Sequence, residues 1–192
     1  MANAAVLPNR VLADLVPGAR VRDAVLVLLG AGLTGLAAQV SIHTPLSPVP
    51  FTLQTLSVLV VGAALGTVRG LLSIALYAVA GVAGVPWYAD HHSGWGGPSF
   101  GYVLGFVVAA AVVGELARRG NDRSVTGTVG LMALGTAAIY VVGAVWLARD
   151  LHVSASKAVE LGVTPFLVTD AIKMAVAAVV LPAVWKLVRH GR

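Results

Sequence analysis

Residues 164–184 read TPFLVTDAIKMAVAAVVLPAV, an apolar run long enough to cross a bilayer that nonetheless carries an acid, Asp170, and a base, Lys173. A membrane helix needs roughly 20 mainly apolar residues to cross about 30 Å of hydrocarbon at 1.5 Å per residue. Thr164 and Pro165 make a helix start, because proline lacks the donor that would be orphaned in the first turn. A charge at the bilayer centre costs about 2.5–3.5 kcal/mol on insertion scales. Asp170 and Lys173 are therefore expected to face the bundle interior or a wet cavity, and their i, i+3 spacing puts them on one helix face. Counted inward from Pro165, Asp170 lies about 8 Å below the helix end. That depth suits a pocket open to the outside rather than a relay across the whole membrane. Two readings stand side by side. One is a structural ion pair that fixes the rotation of the helix; the other is a pocket that offers a small ligand an anionic acceptor and a cationic donor.

The rest of the chain repeats the apolar pattern. Of its 192 residues, 58% are apolar and 11% charged, and mean hydropathy is +0.88. A soluble domain carries about 25% charge, so this chain cannot clothe a water-facing surface. An ordinary soluble enzyme, a disordered chain and a nucleic-acid binder are excluded. Between charges lie six apolar stretches: Ala24 to Ile42, Phe51 to Gly66, Gly70 to Val85, Phe100 to Ala117, Gly127 to Ala148 and Pro165 to Val188. The second and third are short and separated by Arg69, as in a tight hairpin. The expected architecture is an all-α membrane protein of six transmembrane helices. A 23–188 domain is flanked by short segments at 1–22 and 189–192. With Arg10, Arg20 and Arg22 among two prolines and no cleavage signal, the first helix reads as an uncleaved anchor.

Orientation follows from the basic residues, which are retained on the cytoplasmic side. With both termini inside, Arg10, Arg20, Arg22, Arg69, Arg118, Arg119, Arg123, Lys186, Arg189 and Arg192 fall inside, and only Arg149 and Lys157 outside. The net charge of +5 is thus a topology signal. A multi-pass protein of the cell membrane is expected, with the lipid bilayer as its surroundings.

Three further segments carry polar or small residues. In SIHTPLSPVPFTLQT, residues 41–55, Pro45, Pro48 and Pro50 keep the chain extended. Such a stiff strap is placed to cover an outward cavity, with Gln54 and Thr55 just beyond it. GVPWYADHHSGWGGPSFGYVLGF, residues 84–106, sets Trp87, Tyr88, Trp95, Phe100 and Tyr102 among glycines. Aromatics gather at membrane interfaces, and with a few polar groups they also line small-molecule sites. Asp90, His91 and His92 are adjacent and share no face, so no metal is expected. The first helix carries Ala31 and Gly35, a small-xxx-small spacing that packs helices closely within a chain or against a partner. No cysteine exists for a disulfide, a thiolate metal site or a nucleophile. No lysine sits in a phosphate-binding loop, and the histidines lie in loops or tails, so no catalysis is expected.

PVPFTLQTLSVL (48–59), the GxxGxP loop leading to GPSFGYVLGF (97–106) and GVTPFLVTDAIK (162–173) resemble the BioY family. These are biotin-specific substrate-binding (S) components of energy-coupling factor vitamin transporters. The resemblance implies a six-helix S-component fold with an outward biotin pocket capped by the first outer loop. It also implies a transmembrane coupling protein and cytoplasmic ATPases as partners, with ATP used only by those subunits and no cofactor in this chain. Carried over by position, Asp170 accepts a ureido N–H, and Lys173 pairs with the valerate carboxylate or orders Asp170. Asp90 falls near a position where Asn is common, and Gln54, Tyr88 and Tyr102 become lining candidates. Ala31 and Gly35 fall where S components dock on the coupling protein. The sequence departs from the family at Thr169, where Gly is usual, and around His91, His92 and Trp95. The alternatives are an S component for another small vitamin, a standalone proton-coupled carrier using Asp170, and a structural subunit.

Overall fold

The computed structural model describes residues 10–190, so residues 1–9 and 191–192 of the two terminal segments, Arg192 included, lie outside the described residues. In chain order the elements are α1 (Arg20–Ala38), β1 (Ser41–Thr44), β2 (Ser47–Thr52), α2 (Gln54–Val82), α3 (Phe100–Arg118), α4 (Val125–Asp150), α5 (Ala155–Gly162) and α6 (Leu167–His190). Five helical stretches are long and apolar enough to cross a membrane: α1, α2, α3, α4 and Ala155–Val188. Five is one fewer than the apolar stretches of the sequence, because α2 holds two of them in one hydrogen-bonded run.

That run is not straight. Gly66 has φ 80° and ψ −177°, a conformation essentially reserved for glycine. The Gln54 Nε2 donates to the Tyr77 hydroxyl at 2.5 Å, although 23 residues of straight helix would hold them about 34 Å apart. A Cβ on Gly70 would lie 3.0 Å from the Gly62 Cα. The segment therefore doubles back at Gly66 into two arms, 54–65 and 67–82. Just beyond the turn, Arg69 pairs with Asp14 and, at 3.2 Å, with Asp23. Val11 and Ala13 are buried in the same place, so the packed unit includes residues ahead of position 23. Burial alone would raise the Asp14 carboxyl, but the Val11 amide and Arg69 together hold it below its ordinary value.

Helix α1 begins at Arg20 rather than Ala24. Arg22 folds back to donate to the Val16 carbonyl at 2.8 Å and pairs with Asp23, which satisfies the charges at the helix start. Helix α3 packs between α2 and α4, and α6 leans on α4. In lipid no hydrophobic force gathers helices, so close approach of small residues does so instead. The outward side of α1 exposes Val25, Leu28, Leu29, Leu33 and Leu36, as a lipid-facing helix must.

The chain is not purely helical. The proline strap forms a two-stranded antiparallel hairpin, with Ser41 opposite Thr52, Ile42 opposite Phe51 and Thr44 opposite Ser47. A two-stranded ribbon is all edge, where proline's missing donor is tolerated. At the other end of the bundle, Asp122 is fully buried and accepts the Trp185 indole N–H at 2.5 Å, while the Arg123 guanidinium lies 4.7 Å from the Trp185 ring.

Candidate functional site

At the hairpin end, α2, α3, α4 and α6 enclose a cavity of about 340 Å³ beneath β2 and the 83–99 connection. Asp170 and Lys173, on the first turns of α6, turn into it rather than toward lipid. The Lys173 Nζ donates to Asp170 Oδ1 at 2.7 Å and to the Thr55 hydroxyl at 2.7 Å. The Thr55 hydroxyl also lies 3.3 Å from Asp170 Oδ1. On the other carboxylate oxygen, the Tyr140 hydroxyl donates to Oδ2 at 2.6 Å. Asp170 is only 5% exposed, so this ring of donors offsets the desolvation of its charge. Oδ1 is filled by Lys173 and Thr55, and Oδ2, which accepts only from Tyr140, retains one acceptor site. The group can therefore take one N–H donor from a ligand.

The other candidates line the same space. Gln54 is buried at the start of α2, its Oε1 accepting from Thr52 at 3.1 Å and its Nε2 donating to Tyr77. Tyr88 and Tyr102 face the cavity and place their hydroxyls on backbone carbonyls, of Ala78 at 2.6 Å and Gly162 at 2.8 Å. Phe106, Ile139 and Phe166 supply apolar wall, and Phe51 stacks on Phe166 with ring centroids 4.5 Å apart, pinning the hairpin down as a roof. Asp90 stands at the rim with a left-handed φ of 58°. It accepts from Ser41 and lies 3.1 Å from His43 Nε2, which ties the roof to the 83–99 connection. Among the described residues no three His, Asp or Glu side chains gather as metal ligands.

Ala31 is 1% exposed and Gly35 packs against Trp87, where a Cβ would come within 3.1 Å of the ring. Ala31 and Gly35 thus pack inside the chain, while Gly32 of the same helix has open space beside it. Two site residues escaped the sequence reading. Tyr140 lies mid-helix in an apolar run, far from the interface belt, and that position was its signal. His43 carried no signal beyond its place in the strap.

A BioY family model matches residues 9–190. The chain is 37% identical over 164 residues to the "Probable biotin transporter BioY" of Pyrococcus horikoshii, covering 84% of this chain and 94% of that one. It is 36% identical over 149 residues to the "Biotin transporter BioY" of Thermotoga maritima, covering 76% and 86%. The fold matches a crystal structure, at 2.1 Å, of the S-component for biotin from an ECF-type ABC transporter, with a TM-score of 0.78 at 20% identity over 87% of this chain and 92% of that one. A multi-pass helical chain with this fold, and a family match over nearly its whole length, belongs to the BioY family.

Proposed function

We propose that this chain is the membrane-embedded biotin-binding S component of an energy-coupling factor importer in the cell membrane. The observation that carries the proposal is Asp170, presented to a closed-roofed cavity with its charge balanced by Lys173, further hydrogen bonds from Thr55 and Tyr140, and one acceptor site left on Oδ2. Biotin brings two ureido N–H donors, one carbonyl acceptor, an apolar thioether ring and a carboxylate. A buried polar group without a partner costs about 1–3 kcal/mol. Asp170 suits one of the donors, the second N–H of the Gln54 amide suits the carbonyl, and the aromatic walls suit the ring. The relatives named as biotin transporters support the same ligand.

In this reading the arms of α2 each cross the membrane once, giving six crossings with both termini cytoplasmic. A single 23–188 domain then lies between cytoplasmic segments at 1–22 and 189–192. The inside loops carry the basic residues Arg69, Arg118, Arg119 and Arg123. Uptake is driven by a transmembrane coupling protein with cytoplasmic ATPases, and this chain performs no catalysis and holds no cofactor or metal. Titration of the purified chain in lipid nanodiscs tests the ligand. Saturable binding of one biotin per chain, not displaced by excess thiamine or riboflavin, is expected. Absence of saturable biotin binding rejects the proposal.

A further inference from the structure

The cavity treats the two ends of an elongated ligand differently. Lys173 is the one lysine or arginine among the described residues that line it. Its charge is committed to Asp170 and Thr55, and its side chain is only 14% exposed. A ligand carboxylate placed there would set two acids against one base in a poorly solvated site. Among the described residues the mouth offers no fixed cation in exchange. Its charged group is Asp90, which lies 3.1 Å from His43 Nε2. With His43 protonated that pair is neutral, and with His43 neutral it is negative; in neither state is it positive. The other imidazole on the lining, His92, turns Nδ1 to the Ala89 carbonyl at 3.1 Å. That contact makes Nδ1 the N–H of the neutral ring and leaves Nε2 a lone pair.

We propose, resting on the functional reading above, that the cavity grips the ring end of its ligand at Asp170 and leaves the acid end unclaimed beside Asp90 and His43. Biotin derivatives with a neutral or amine-bearing amide tail are then ligands of this chain. Lys173 is a positioning residue that orders Asp170 rather than the carboxylate partner. An amine-bearing tail gains from Asp90, whereas the free acid of biotin meets a like charge there.

The test is a titration of the full chain in nanodiscs with three ligands: biotin, biotinamide and N-(2-aminoethyl)biotinamide, whose tail ends in a free amine and carries no acid. Biotinamide is expected to bind within about tenfold of biotin, the span of one exposed ion pair with margin. The aminoethyl amide is expected to match or exceed biotinamide. Asp90→Asn should raise the affinity for biotin relative to biotinamide. Lys173→Met should weaken biotin and biotinamide by the same factor. A loss of more than tenfold on removing the acid charge in the wild-type chain overturns the proposal, as does a Lys173→Met effect confined to biotin. If Lys173→Met does not fold, the wild-type comparison decides alone. Failure of biotin itself to bind overturns the functional reading and this proposal together, whereas tight binding of biotin with rejection of both amides overturns this proposal only.

Discussion

Neutralising Asp170 and Lys173 separately and together distinguishes a pair that merely holds α6 from a pair that binds. Asp170 is 5% exposed, and the two side chains meet at 2.7 Å. Removing one partner of a buried pair costs about 3–5 kcal/mol, because the other charge is stranded, whereas replacing both is close to neutral. The adjoining cavity admits water and lowers that figure, so Asp170→Asn and Lys173→Met should each cost about 2–3 kcal/mol of stability. The double variant should return to within about 1 kcal/mol of the parent. Binding should behave otherwise. The amide introduced by Asp170→Asn keeps one acceptor but offers an NH2 toward either Tyr140 or the ligand, and hydrogen bonds to a charged group are worth about 1.5–3 kcal/mol. Both Asp170→Asn and the double variant should lose biotin affinity by about 10- to 100-fold. Thermal unfolding followed by tryptophan fluorescence, with calorimetric titration on the same preparations, reads both quantities. A double variant that binds biotin like the parent would refute a direct role for the pair. A double variant as unstable as the singles would refute the electrostatic coupling between them.

Three further outcomes are expected. Tyr140→Phe removes the donor on Asp170 Oδ2 and should weaken biotin about tenfold while the chain stays folded; an unchanged titration would place Tyr140 outside the site. Gly81→Ala would drive a Cβ into the Tyr88 ring, well inside contact distance, so Tyr88 must move. About 1–3 kcal/mol of stability should be lost together with affinity, and full retention of both would show that the contact yields freely. At the end of the bundle away from the cavity, burial pushes the Asp122 carboxyl above its ordinary value of 3.8, outweighing the Trp185 indole N–H that favours the charged form. The folded state then binds that proton more tightly than the unfolded state, so this group's contribution to stability falls as pH rises from 3.8 through the raised value. Asp122→Asn should remove that fall and leave the variant relatively more stable above the window. A difference in unfolding midpoint that does not change with pH would contradict it.

Much of this architecture was legible because lipid imposes harsh rules on sequence. Charges cannot sit idle in hydrocarbon, so Asp170 and Lys173 announced a polar interior from two letters in an apolar run. Gln54, Asp90, Tyr88 and Tyr102 stood at span ends, and all four line the cavity. The hairpin was half visible: three prolines dictated an extended strap, but pairing depends on where the chain turns back, which proline content does not encode. Tyr140 was missed because its meaning lies in a carboxylate 30 residues away on another helix. The neighbours of Ala31 and Gly35 were not legible for a related reason. Small residues at this spacing permit close approach from any side, and which neighbour fills the gap was decided by Trp87, on a connection 52 residues beyond Gly35.

The fold-back at Gly66 leaves α2 with short limbs, about 18 Å for residues 54–65 and about 24 Å for 67–82. A hydrocarbon layer is about 30 Å thick. In the six-crossing arrangement the second limb, which exposes Val68, Leu72 and Val79, is too short for an unperturbed membrane. Lipid along that flank must dimple inward by several ångströms, at a modest elastic cost for each ångström of mismatch. Bilayer thickness thereby becomes a control variable: thin, short-chain lipids should favour the folded protein, and thick ones should strain the turn at Gly66.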